Sequence, residues 1–139
     1  MTILVTDSGF ATDDWRDAIL EPEAILAGVG GANLGVALPS SADPALLRGV
    51  LDTIDLIRVD FPSFSDGRGF TIARRLRLLG YQGRLRASGP LLADQYAMAR
   101  RAGFDEVEIP DDMAARQTED QWLARANWRE HDYQSRLRA

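Results

Sequence analysis

The stretch DLIRVDFPSFSDGRGFTIARRLRLLGYQGRLRAS, residues 55–88, decides the fold because it reads in turn as strand, loop, helix and strand. Residues 55–61 form an apolar run with the length of a buried strand, and residues 69–80 repeat apolar side chains with a helical period. Residues 83–88 predict the next strand. Such a unit places its two strands parallel and joins them by a right-handed connection.

The same alternation continues on both sides of this unit. Further strands are predicted at residues 34–38 and 104–109, and further helices at residues 44–54, 90–103 and 111–133. Asp43 stands at the N-cap position of the first of these helices, directly before Pro44. The pattern predicts an α/β fold with a four-stranded, mainly parallel sheet and covering helices. Both a half-barrel-like strand order and a small doubly wound order agree with it.

The N-terminal third is less regular than the rest of the chain. Turn residues alternate there with short apolar pieces, so residues 1–33 are predicted to form an irregular arm. A short helix carrying Trp15, capped by Asp13 or Asp14, is expected within it. Residues 34–139 are predicted to form one α/β domain.

The composition excludes several kinds of chemistry. The chain has 139 residues, no cysteine and no lysine, and its one histidine is His131. Disulfides, thiol redox chemistry, thiolate metal sites and lysine Schiff bases are therefore excluded. No dinucleotide fingerprint and no P-loop is visible, so no cofactor is predicted.

The charge and hydropathy of the chain limit the expected partners and cell compartment. The net charge is −5, whereas nucleic-acid-binding domains usually carry a basic excess, so no nucleic acid is expected as a partner. No apolar run is long enough to cross a bilayer, and the first residues do not resemble a secretory signal. We expect a cytoplasmic protein that does not bind membranes.

The loop within the opening stretch has the chemistry of a small anion pocket. Two glycines would let the backbone turn through positive φ, and the loop feeds the N-terminus of a helix, where anions bind. An arginine adds a planar donor fork for carboxylate, sulfate or phosphate oxygens. The candidate anion-binding residues of this loop are Ser65, Asp66, Gly67, Arg68 and Gly69.

The next strand and helix add residues to the same edge of the sheet. Arg86 and Ser88 lie near the end of the third predicted strand, and Asp94 and Gln95 open the following helix. Arg86 is expected beside Arg68 if the two strands are neighbours. The two arginines would then either bind an anion or form an internal network with Asp66 and Asp94.

The sequence supports a metal site less strongly than it supports an anion pocket or an internal arginine–aspartate network. Asp111 and Asp112 follow the fourth predicted strand and would have to combine with Asp60 to bind magnesium, but both also suit a helix cap. No metal is therefore predicted.

Several sequence blocks in fixed order resemble the bacterial family called domain of unknown function 934. They are DFPSFSDGRGFTIARRLR, GYQGRLRASG and DQYAMARRAGFD, preceded by LGVALPSSADP. The resemblance implies a probable oxidoreductase or accessory protein of assimilatory sulfite reduction. It also implies a partner, the haem-containing sulfite or nitrite reductase or its electron donor.

Three functions follow from the residues and the resemblance together. The first is an accessory protein that binds the reductase, an electron donor or a sulfur oxyanion through the Asp-Gly-Arg-Gly loop. The second is an enzyme that uses Asp66 or Asp60 as a base and Arg68 to stabilise an oxyanion. The third is a dimeric scaffold that pairs through an open sheet edge.

Overall fold

The computed structural model describes residues 2–28 and 33–131 and shows an α/β fold around a single seven-stranded sheet. The strands are β1 (Thr2–Thr6), β2 (Gly9–Ala11), β3 (Ile19–Leu20), β4 (Gly35–Pro39), β5 (Leu56–Asp60), β6 (Arg84–Ser88) and β7 (Glu106–Pro110). Their spatial order is β2-β1-β7-β6-β5-β4-β3.

The sheet is mostly parallel. The five strands from β3 to β7 run parallel to one another, and β1 pairs antiparallel with both β7 and β2. The four predicted strands are therefore confirmed as β4–β7, lying side by side in chain order. This order agrees with the half-barrel-like alternative and not with a doubly wound sheet.

The predicted number of strands is wrong, because the N-terminal segment supplies three more. β1 has an alternating pattern of only five residues, and β2 and β3 have three and two residues. Pieces this short carry little periodic signal and gain their stability from pairing with longer strands. The boundary predicted between residues 33 and 34 stays a prediction, although β3 and β4 pair across it.

The helices are short and lie against one face of the sheet. They are α1 (Pro22–Leu26), α2 (Arg68–Leu78), α3 (Tyr96–Ala102), α4 (Asp111–Arg116) and α5 (Glu119–Leu123). One cluster of buried apolar side chains joins them to the inward residues of β4–β7, among them Val36, Ile57, Leu85 and Val107. No described helix has the length and apolarity that a membrane span requires.

The helix predicted over residues 44–54 is instead two short 3₁₀ turns, at 44–47 and 51–53. The predicted cap is confirmed, because an Asp43 carboxylate oxygen accepts a hydrogen bond from the Ala45 amide at 3.0 Å. Gly49 lies between the two turns, and a glycine there weakens a continuous α-helix.

Residues 12–18 connect one edge strand to the other across the helix-free face, and we call them the strap. β2 and β3 are the two edges of the sheet, so the strap must cross six strand spacings, about 29 Å along a flat sheet. Eight fully extended residue steps reach at most about 29 Å, just enough for this span, whereas a helix of that length reaches only about 12 Å. The helix predicted around Trp15 is therefore wrong, and Asp13 instead accepts a turn hydrogen bond from the Trp15 amide.

Candidate functional site

The segment from the end of β5 to the first residue of α2, residues 61–68, starts from a fixed point in the core, and we call it the β5–α2 loop. The Phe61 amide donates to the Ser88 carbonyl oxygen at 2.7 Å, which ties the loop to the end of β6. The buried Phe61 ring lies 5.0 Å from the Phe70 ring and 5.9 Å from the Phe104 ring, measured between centroids. These contacts of Phe61 fix the direction in which the loop leaves the sheet.

Neither glycine of the Asp-Gly-Arg-Gly motif provides the positive-φ turn that the sequence suggests, and Gly69 instead serves close packing. The expected positive φ is wrong for Gly67, whose φ is −85°, and for Gly69, which lies inside α2. A Cβ at Gly69 would overlap the Phe61 ring, so a side chain there would push the two elements apart. The left-handed position is Gly89, after β6, where φ is +145°.

Asp66, Arg68 and Ser40 form a closed hydrogen-bond network at the start of α2. Asp66 accepts bonds from the Arg68 amide at 3.1 Å and from the Arg68 Nη2 at 2.7 Å. Ser40, which follows β4, donates its hydroxyl to Asp66 at 3.2 Å and accepts from Arg68 Nη2 at 3.0 Å. Hydrogen bonds from the Arg68 side chain and amide hold the pKa of Asp66 well below its ordinary value. The helix N-terminus is thus already complemented by an internal carboxylate.

The tip of the loop is held by side chains on both sides of it. The Gln95 Nε2 donates to the Phe64 carbonyl oxygen at 2.7 Å, and the Ser63 and Ser65 hydroxyls lie 3.0 Å apart. These contacts leave the Phe64 side chain pointing outward, and that residue is 51% exposed. The Arg68 side chain is 61% exposed despite its bonds to Asp66.

Arg86 does not join this loop, so the expected meeting of two guanidinium groups is wrong. β5 and β6 are neighbours, as predicted, but Leu85 and Ala87 face the helices, so Arg86 points to the opposite face. Its side chain is 0% exposed and shares no partner with Arg68.

The partners of Arg86 form a second, buried cluster on the helix-free face. Its guanidinium donates to Glu106 at 2.5 Å, to Glu108 at 2.9 Å and to Asp13 of the strap at 3.1 Å. Arg84 bonds both Glu106, at 2.8 Å, and Asp14 of the strap. Four carboxylates against two guanidinium groups leave the buried cluster negative, so it has no excess positive charge for an external anion.

The strap carboxylates are held ionised by these arginines. Partial burial raises the pKa of Asp13, but hydrogen bonds from the Trp15 amide and Arg86 outweigh it and lower the pKa below 3.8. Hydrogen bonds from Arg84 lower the pKa of Asp14 in the same way. The strap is therefore fastened by charge, and protonation of its carboxylates weakens it.

The remaining predicted site residues have separate local partners. Asp94 pairs with Arg125 at 2.7 Å, and Asp60 pairs with Arg58 at 2.8 Å. Asp112 of α4 pairs with Arg116 one turn later. Within residues 2–28 and 33–131, no group of three or more His, Cys, Asp or Glu side chains is placed to hold a metal ion. The side chain of His131 lies outside the described part of the chain.

Sequence reasoning missed three kinds of residue that the structure brings together. Ser40 follows a different strand from the loop that it braces, so no local motif links it to Asp66. Glu106 lies opposite Arg86 in the sheet register, and Glu108 lies opposite Ser88, on the same face of the sheet. The alternation Arg-Leu-Arg in one strand and Glu-Val-Glu in the next is a signal that could have found both carboxylates. Phe64 is marked only by being aromatic within a polar loop.

These features define an α/β protein with one helical layer, a buried ionic cluster and a braced Asp-Gly-Arg-Gly loop. The chain belongs to a family described as bacterial protein of unknown function (DUF934), whose model matches residues 35–139. The match includes β4–β7 and the whole β5–α2 loop, while β1–β3 lie before it. No curated protein and no solved structure matches the chain.

Proposed function

We propose that this protein is an accessory protein of assimilatory sulfite reduction that binds the haem-containing sulfite reductase, or its electron donor, through the β5–α2 loop. The observation that carries the proposal is the pair of outward side chains, Phe64 and Arg68, on a backbone braced at both ends. Aromatic and arginine residues are the commonest anchors of protein interfaces. The sulfur context comes from the resemblance of the loop motif to its family.

A braced loop favours protein binding because it is already ordered and loses little conformational entropy when a partner binds. Hydrogen bonds to Ser40, Gln95 and the Ser88 carbonyl fix the loop before any partner arrives. Rigid surfaces lose less conformational entropy on binding than mobile ones do. A partner surface with an apolar pocket for Phe64 and a carboxylate for Arg68 would complement it.

A free sulfur oxyanion is a weaker occupant of the same loop. The Asp66 carboxylate already accepts from the Arg68 amide and from its side chain, which are the donors that an oxyanion would use. Sulfite or sulfate would have to displace a tethered carboxylate whose effective concentration is high. We therefore favour the protein partner over the small anion.

The enzyme alternative gains no support from this geometry. A general base works best when its pKa is near the working pH, whereas the bonds from Arg68 hold the pKa of Asp66 far lower. Asp60 is engaged by Arg58 at 2.8 Å. The dimeric scaffold is also less favoured, because the edge strands β2 and β3 offer only three and two residues for pairing.

Co-purification tests the proposal. The tagged protein is expected to retain the sulfite reductase haemoprotein, or its electron donor, from a lysate of sulfate-grown cells of the same organism. The double variant Phe64→Ser/Arg68→Gln should lose it, and the control Leu26→Ser/Arg16→Gln, also an exposed apolar and arginine pair, should keep it. Retention that is equal for all three proteins would reject the loop as the binding surface.

The oxyanion and enzyme alternatives need their own tests. Calorimetric titration with sulfite, sulfate and adenylylsulfate is expected to give no heat of binding, and none of them should raise the melting temperature. An Asp66→Asn variant that abolishes growth on sulfate while still binding the reductase would favour the enzyme alternative instead.

A further inference from the structure

A groove of about 420 Å³ runs between the outer faces of α2 and α3, and we call it the α2–α3 groove. Its lining includes Phe70, Arg74 and Leu78 of α2, and Met98, Arg101 and Ala102 of α3. The three α2 residues are spaced four apart and so lie on one face of that helix. None of the six belongs to the β5–α2 loop.

The centre of the groove is apolar and open. Leu78 is 80% exposed and Met98 is 52% exposed, so two large apolar side chains face outward from neighbouring helices. Phe70 and Ala102 lie deeper, and the Phe70 ring is anchored on Phe61. Apolar side chains gathered around a groove, with a charged rim, mark interaction surfaces more often than single exposed leucines do.

The rim of the groove is positive although the chain as a whole carries −5. Arg74 is exposed and makes no ion pair with any residue that the structure describes. Among the side chains that the structure describes, no carboxylate pairs with Arg101, whose guanidinium donates to the Trp128 carbonyl oxygen at 3.0 Å. Arg75 has one exposed pair, with Asp43 at 3.3 Å.

We infer that the α2–α3 groove binds an acidic amphipathic helix of a partner protein. Large apolar residues on one face of that helix would contact Leu78, Met98 and Phe70, in the way that amphipathic helices bind apolar grooves. Aspartate or glutamate residues beside them would pair with Arg74 and Arg101, for which the described chain supplies no carboxylate. This inference is independent of the function proposed for the β5–α2 loop.

Charge argues against the other occupants of the groove. A two-fold contact between two copies would bring two positive rims together, because the same surface patch of each copy forms such an interface. Residues 132–139 contain one aspartate and two arginines, so that segment does not complement a positive rim either. A nucleic acid would use the arginines but would leave the apolar centre without a partner.

Selection from a phage library of random 16-residue peptides tests the inference on the full chain. Enriched peptides should carry acidic residues next to large apolar residues spaced three or four apart. The triple variant Arg74→Gln/Leu78→Ser/Arg101→Gln should bind the synthesised peptides at least about tenfold more weakly, and circular dichroism should show that it stays folded.

Two controls separate this groove from other surfaces. The variant Leu26→Ser/Arg16→Gln, with an exposed apolar and arginine pair outside the groove, should bind the peptides as the wild type does. The loop variant Phe64→Ser/Arg68→Gln should also bind them fully, so failure of the proposed function would not affect this result.

Several results would overturn the inference. They are a selection that enriches no peptide, enrichment of basic or uncharged peptides, and binding that survives the triple substitution. Light scattering that reveals a dimer dissociated by the triple variant would assign the groove to a second copy. Binding of a fluorescein-labelled 20-nucleotide RNA that the triple variant abolishes would assign it to nucleic acid.

Discussion

Replacing Arg86 by methionine should be among the most damaging single changes in the buried cluster. Arg86 is 0% exposed and bonds three carboxylates. After its removal, Glu106 would keep Arg84, and Asp13 would regain water because its side chain is already 35% exposed. Glu108, whose side chain is 11% exposed, has no other ionic partner among the described residues and would remain buried and charged.

One uncompensated buried charge of this kind costs about 3–5 kcal/mol. A domain of this size has a total free energy of unfolding of about 5–15 kcal/mol, so Arg86→Met should leave the folded protein only marginally stable. Adding Glu108→Gln removes the unpaired buried charge and should restore at least about 1 kcal/mol of the lost free energy of unfolding. Urea unfolding followed by circular dichroism at pH 7 measures both differences.

Arg58 provides the matched control for this experiment. It sits on β5 directly beside Arg86 in the sheet register and points to the same face, but its pair with Asp60 is partly exposed. Arg58→Met should therefore change the free energy of unfolding by no more than about 1 kcal/mol. A cost below about 1 kcal/mol for Arg86→Met, or equal costs at the two positions, would refute the account of the buried cluster.

Two further predictions concern the strap and the loop. The pKa of Asp13 is lowered in the folded state, so its contribution to stability is present above about pH 4 and is lost as the pH falls further. Asp13→Asn should therefore make the melting temperature fall less steeply with decreasing pH in the acid range. An unchanged acid dependence would contradict the conclusion that charge fastens the strap. Gly69→Ala should lower the free energy of unfolding in urea by about 1–3 kcal/mol, because the new Cβ would overlap the Phe61 ring. A Cβ at Gly67 meets nothing within 4 Å, so Gly67→Ala should change that free energy by no more than about 0.5 kcal/mol. Equal effects at the two positions would contradict the packing explanation.

The sequence predicted the centre of the fold well because the signal there is strong and local. β4–β7 are apolar runs between turn residues, and Gly103 ends α3 with a φ of +120°, as its position indicated. The edge strands β2 and β3 were missed because they exist only through pairing with longer neighbours. The strap was assigned a helix because Asp13 and Trp15 fit a capped turn, and only the distance between the two edges excludes that helix.

The candidate site was predicted in part. Asp66 and Arg68 were identified from the loop composition, and their pairing was one of the two alternatives that the sequence left open. The direction of Arg86 was available from the alternation with Leu85 and Ala87. Its contact with Asp13 was not available, because 73 residues separate the two in the chain and no local pattern links them.

Binding to the purified sulfite reductase haemoprotein of the same organism, or to its purified electron donor, is the most direct test of the central claim. Biolayer interferometry with the immobilised chain should show saturable binding to one of the two. The Phe64→Ser/Arg68→Gln variant should lose at least about tenfold in affinity, which corresponds to about 1.4 kcal/mol. An absence of binding to both proteins, or equal binding by the wild type and the loop variant, would contradict the claim.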